Sequence, residues 1–309
     1  AQIRLAAAQQ LLGTPSAQSA LLLRDALGNE RNDDVREAMQ IGLASIEISS
    51  GNPTQRLQAI YMLKDSLRQE VRALLDKTAN DTGAQQDVRA AARQVLAEIE
   101  IRLSRYAQLN NLYFGISLGS VLLLAAIGLA ITFGVMGVIN MAHGEMVMLG
   151  AYTTYVIQQL LPNQIEWSLL LALPAAFLVA GTIGIGIERG VIRFLYGRPL
   201  ETLLATFGIS LILQQAVRSV FSPLNRSVLT PQWMSGTLEI NPALALTYNR
   251  LYIIAFALIV LVALIVLLRY SRFGLEMRAV TQNRAMASAM GIRTARVDAM
   301  TFGLGSGIA

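Results

Sequence analysis

The chain has 309 residues, 54% of them apolar and only 15% charged, with a net charge of +5. It contains no cysteine and a single histidine, which excludes disulfides, thiolate metal sites, cysteine nucleophiles and paired-histidine zinc sites. The charge is unevenly placed: residues 1–106 hold 13 basic and 13 acidic residues, whereas residues 107–309 hold 12 and 7. The basic excess therefore belongs to the apolar part, where arginines flanking membrane spans account for it without nucleic acid.

The first hundred residues repeat themselves. Arg4-Leu-Ala-Ala7 aligns with Arg56-Leu-Gln-Ala59, and Asp34-Val-Arg-Glu-Ala38 with Asp87-Val-Arg-Ala-Ala91. Ile46-Glu47 aligns with Ile99-Glu100, at an offset of 52 to 53 residues throughout. Each unit reads as two helices with apolar residues three to four apart, broken at Asn52-Pro53 and at Asn80-Asp-Thr-Gly83. This resembles a HEAT-like α-solenoid, slightly longer than the usual period of about 40–47 residues. Such a solenoid serves either as a concave binding surface or as a self-packed helical cap. The expected fold is all-α, with residues 1–106 forming the solenoid and 107–309 a polytopic helical membrane domain. Both ends read as cut. The first residue is Ala rather than Met, and an apolar, glycine-rich run begins near Ala299 and stops at Ala309.

About 20 apolar residues cross a bilayer. Leu112 to Phe133 is an uncharged run of that length, with Gly115 and Gly119 spaced for close helix contact. Met146 to Leu161 is shorter and more mixed, as a broken or tilted helix is. Ser168 to Ile187 and Leu251 to Leu268 span again. Leu200 to Phe221 carries Thr206, Ser210 and Gln214 among apolar residues and reads as a bundle-interior or half-crossing segment. Arginine fills the linkers 188–198 and 269–298 and is absent from 161–167. Positive loops stay cytoplasmic, so counting crossings backwards puts the N-terminal region outside, provided that 200–221 crosses fully.

The organising stretch lies between the first two of these segments: Gly134-Val-Met-Gly137-Val-Ile-Asn140-Met-Ala-His143-Gly144-Glu145, followed by Gly150. Ionisable groups at membrane depth are costly, which makes His143 and Glu145 candidates for the path of a solute. His143 equally suits a structural hydrogen bond. Glu145 equally suits a pairing with His143, or the N-terminus of the second helix, where the dipole favours an acid. Gly134, Gly137, Gly144 and Gly150 read as bending and packing positions. Asn140, Thr206, Ser210 and Gln214 add hydroxyl and carboxamide groups. No catalytic set, metal site or cofactor motif is expected: the Gly303-Leu-Gly305-Ser-Gly307 cluster follows no strand and is no nucleotide fingerprint.

Several blocks in order, the Gly134–Glu145 stretch, Ile187-Glu-Arg189, Leu204-Ala-Thr-Phe-Gly-Ile-Ser210, Arg272-Phe-Gly274-Leu-Glu-Met-Arg278 and Ala289-Met-Gly291-Ile292, resemble the permease subunits of branched-chain amino-acid and urea ABC importers. Asn-Met-Ala-His-Gly stands where that family usually has Asn-Phe-Ala-His-Gly. The resemblance covers about two-thirds of the chain. It implies a multi-pass protein of the bacterial inner membrane, with a second permease subunit, ATPase subunits and an extracytoplasmic solute-binding protein as partners, lipid around it and no nucleic acid. The extra helical N-terminal part is what the urea versions carry, so the resemblance points to urea, with a branched-chain amino acid or short amide as the alternative. A membrane-anchored solenoid scaffold is the reading from another class, although a tether needs only one span.

The ATPase is expected elsewhere. A P-loop needs Gly-Lys-Ser/Thr, and the two lysines, Lys64 and Lys77, follow Leu63 and Asp76. The expected coupling surface to those ATPases is Arg269 to Gly291, with a short helix around Glu276 to Met290 and with Arg272, Gly274, Arg278, Arg284 and Gly291 as its candidate residues. An arginine-rich anchor serving topology alone is the alternative there.

Overall fold

The computed structural model describes residues 17–309. The described residues up to Leu112, together with Glu239–Ala245, cluster as one compact unit; Tyr113–Leu238 and Leu246–Ala309 form the other.

The first unit begins with α1 (Ala17–Asn29) and α2 (Asp33–Ser50), the latter opened by Asn32, whose side chain accepts the Val35 N–H at 3.1 Å. Next come α3 (Pro53–Met62) and α4 (Gln69–Asn80). The proline sits in the first turn of α3, where its missing N–H is not needed, and Gln55 accepts the Asn52 N–H at 3.1 Å. Then α5 (Gln86–Met136) runs for 51 residues. The core collects one apolar stripe from each of α2 to α5: Ile41 and Ile48 of α2, Ile60 of α3, Val71 and Leu75 of α4, and Val95 and Ile99 of α5, while Leu23 of α1 clusters separately with Val35 and Leu43 of α2. Residues 53–106 thus supply three helices, not the two expected per repeat, because Leu67 and Arg68 separate α3 from α4 and Thr82-Gly83 separates α4 from α5. The start of the other copy, at Arg4–Ala7, lies outside the described residues, and its Asp34–Ala38 and Ile46-Glu47 fall in α2.

No break occurs at the expected boundary of 106/107. Residues 100–112 contain no glycine or proline and carry straight on as helix, and the division between the two units falls inside α5.

In the second unit α6 (His143–Leu160), α7 (Ile165–Gly190) and α8 (Pro199–Phe221) follow α5. Beyond α8 come the strands β1 (Thr237–Asn241) and β2 (Leu244–Thr247), then α9 (Tyr248–Tyr270), α10 (Arg272–Gln282), α11 (Arg284–Ala289) and α12 (Thr294–Ile308). The strands form a two-stranded sheet, which corrects the all-α expectation. Asn241 accepts the Ala243 N–H at 2.9 Å, an Asx turn that folds the chain back at Pro242. The single helix expected around Glu276 to Met290 is two helices. Asn283 ends the first and caps the second by accepting the Met286 N–H at 2.9 Å.

Among the described residues four helices, α5, α7, α8 and α9, are long and apolar enough to cross a membrane. The closest packing in this unit is between backbones. A Cβ added to Gly128 of α5 would lie 2.5 Å from the carbonyl oxygen of Gly305, and one added to Gly181 of α7 would lie 3.2 Å from that of Gly303. One added to Gly184 would meet the Ser306 side chain at 2.5 Å. The glycine cluster of α12 is therefore a seam against α5 and α7. Gly115 and Gly119, spaced for the same purpose, meet nothing within 4 Å.

Candidate functional site

The motif between α5 and α6 is a helix break. Gly137 stops α5 by taking a positive φ of 66°, and its N–H still reaches the Phe133 carbonyl at 2.8 Å. Residues 137–142 are non-helical before His143 opens α6. The freed backbone groups are bonded by side chains, as irregular chain at membrane depth requires. Asn140 accepts the Ala142 N–H at 3.0 Å, and Thr206 of α8 accepts the Met141 N–H at 3.2 Å. The Thr206 hydroxyl lies 3.3 Å from the Ile139 carbonyl and 3.0 Å from that of Leu203.

One turn into α6, Glu145 faces α8. Its Oε1 accepts from the Ser210 hydroxyl and from the Gln214 amide, each at 2.7 Å. Thr206, Ser210 and Gln214 are four residues apart and share one face of α8. That helix is polar inside and apolar outside: Thr202, Thr206 and Ser210 are buried, while Leu204, Phe207 and Leu211 are exposed. Glu145 is 9% exposed and its Oε2 has no partner among the described residues; the same holds for Asn140 Nδ2. The break thus holds a carboxylate, two hydroxyls and two carboxamides, with acceptor and donor atoms still unused.

His143 does not join this group, nor does it pair with Glu145. Its Nε2 lies 2.8 Å from the Ala125 carbonyl, and since a carbonyl only accepts, Nε2 carries the proton. The ring rests over Gly128, where a Cβ would come within 2.8 Å of its Cε1. His143 therefore pins the start of α6 to α5. Among the expected bending and packing glycines only Gly137 has the strained backbone. A Cβ at Gly134 or Gly144 meets nothing within 4 Å, and one at Gly150 reaches only the Ala176 methyl, at 3.8 Å.

A second polar cluster joins the linker after α7 to α11 and α12. Arg284 forms a two-pronged ion pair with Asp298, Nη1 to Oδ1 at 3.2 Å and Nη2 to Oδ2, and lies 3.8 Å from the Tyr196 ring centroid. The Tyr196 hydroxyl donates to Asp298 Oδ1 at 3.2 Å. Burial first, and then the negative charge of Asp298, push the Tyr196 phenol up to about 12. Arg284, expected as a coupling residue, is thus ion-paired within the chain, its side chain 37% exposed. Arg278 is partly engaged, one guanidinium nitrogen donating to the Leu268 carbonyl at the end of α9. Gly274 is needed because a Cβ there would collide with the same carbonyl. Gly291, at φ 89°, ends the turn after α11, and Arg272 is exposed at the start of α10. These elements share a core: Ile131 of α5, Leu264 of α9, Met277 and Val280 of α10, and Val297 of α12.

Tyr196 and Asp298 were not among the expected site residues. Asp298 stands at the head of an apolar run, the same signal that singled out Glu145. Tyr196 carried no signal of its own.

Several apolar helices long enough to span, with a polar break after the first of them, are the architecture of a polytopic membrane protein. The chain belongs to the family described as branched-chain amino acid transport system, permease component, whose model matches residues 111–309. It is 34% identical over 212 residues to the high-affinity branched-chain amino acid transport system permease protein LivH of Salmonella typhimurium, covering 65% of this chain and 68% of that one. It is 29% identical over 213 residues to BraD of Pseudomonas aeruginosa, a permease protein of the same printed description, covering 66% and 69%. A probable LivH of Methanocaldococcus jannaschii is 27% identical over 182 residues, covering 56% and 55%. No solved structure matches.

Proposed function

We propose that the chain is the solute-conducting permease subunit of an ATP-driven importer in a bacterial inner membrane, and that its solute is a branched-chain amino acid. The observation that carries this reading is the family match over 111–309, with relatives described as branched-chain amino acid permeases. The group at the break supports it. Asn140, Glu145, Thr206, Ser210 and Gln214 line the path, and the unused Glu145 oxygen suits the ammonium end of an amino acid. His143 positions the break.

Separate ATPase subunits press on α10 and α11, whose shared core with α5, α9 and α12 conveys the movement. A second permease subunit and an extracytoplasmic solute-binding protein complete the complex. The HEAT-like first unit lies on the periplasmic side.

One observation favours urea instead: a helical unit precedes the family match, as in the urea versions of this permease. The unused Glu145 oxygen would then accept a urea N–H. Uptake of labelled leucine and labelled urea decides, in cells lacking their own systems and carrying the full-length gene with its neighbouring subunits. Saturable, energy-dependent leucine uptake is expected. Urea uptake alone overturns the substrate, and uptake of neither overturns the path.

A further inference from the structure

Away from the break, a groove of about 570 Å³ runs between α5, α9 and α10. Its walls are Ile127, Ile131, Leu264 and Leu268, and Arg269, Arg278 and Thr281 stand at the end where α9 stops. No carboxylate lines it; Glu276, the one acid of α10, is exposed and lies outside the lining. Arg269 makes no hydrogen bond or ion pair among the described residues, and Arg278 spends one nitrogen on the Leu268 carbonyl and keeps further donors. An apolar slot on spanning helices, closed at its basic end by arginines with unused donors, has the chemistry of an anionic lipid site.

The size argues for a lipid over a protein. A helix about 10 Å across fills roughly 420 Å³ per turn, so the groove admits little more than one turn. A flexible acyl chain has no such minimum. We propose that this groove holds one anionic phospholipid, its acyl chain along Ile127, Ile131, Leu264 and Leu268 and its phosphate at Arg269 and Arg278. The site depends on α5 and α9 being spans and not on which solute is carried.

The test is native mass spectrometry of the complex released from nanodiscs containing equal phosphatidylglycerol and phosphatidylethanolamine. The wild type should retain phosphatidylglycerol preferentially, and Arg269→Gln should cut that preference roughly fivefold. Gly134→Leu should fill the groove without a clash, since a Cβ there meets nothing within 4 Å. It should then lose both lipids. Equal retention of the two lipids by the wild type, or an unchanged preference in Arg269→Gln, overturns the site even if Gly134→Leu fails to assemble. A disulfide between two copies through Ile265→Cys, in a chain with no cysteine of its own, would give the groove to a second copy and overturn it too.

Discussion

In the first unit Ile60, Val71, Leu75 and Ile99 are completely enclosed, whereas in the second Leu118 and Ile259 stand 61% and 66% exposed. Beside its apolar core around Ile131 and Val280, the interior of the second unit holds glycine seams and the buried polar groups of Glu145, Thr206, Ser210 and Asp298. The contrast follows from the surroundings. In water, burying aliphatic surface drives helices together. In hydrocarbon that drive vanishes, and association rests on close backbone approach and on satisfied polar groups. The same residue types therefore carry opposite meanings on the two sides of residue 112.

Substitutions of one chemistry should consequently act differently in the two settings. The largest effect is expected for Gly128→Leu, which drives a side chain into the Gly305 carbonyl and the His143 ring. Membrane-inserted, monodisperse protein should be lost, while Gly119→Leu, with nothing within 4 Å, should leave its yield unchanged in fluorescence-detected gel filtration. Leu75→Ala should destabilise α4 by about 2–5 kcal/mol, read by hydrogen exchange on the solubilised chain. Leu118→Ala should shift exchange by less than about 0.5 kcal/mol.

Breaking a polar contact tests the other half of the contrast. Asp298→Asn leaves Arg284 without its counter-charge and should lower thermal stability by about 2 kcal/mol, below the range for fully buried pairs because the Arg284 side chain is 37% exposed. Glu145→Gln keeps the shape of the site and removes its charge. Initial uptake should fall about tenfold with normal amounts of protein in the membrane. Normal uptake would take Glu145 out of the path.

The smallest effect concerns Tyr196. With its phenol raised to about 12, the fold holds a proton that the unfolded chain releases near 10. The stability this contributes is complete below pH 10 and fades as pH rises from 10 to 12. The difference in stability between wild type and Tyr196→Phe should therefore be constant below pH 10 and change only across that window, in step with the ultraviolet titration.

The spans were legible because length and apolarity suffice for them, and Gly137 because a break needs a residue tolerant of positive φ. Thr206, Ser210 and Gln214 were legible as one helical face. That this face meets Glu145, more than sixty residues earlier, is tertiary and leaves no local pattern. Gly303 and Gly305 were visible, but their use was not: glycine spacing says that something comes close without saying what. The pairing of Arg284 with Asp298, folded back on it from fourteen residues later in a separate helix, is tertiary in the same way.

The seam of α12 against α7 bears on how such a bundle moves. Interlocked side chains must change rotamer before one helix can pass another, so a core like that around Leu75 resists sliding. Where Gly181 and Gly303 bring backbones together, the rotamers to unlock are few, chiefly Ile185 against Gly303 and Ser306 against Gly184. Such a contact behaves as a smooth bearing: it holds two helices at fixed separation while offering little friction to a short axial shear.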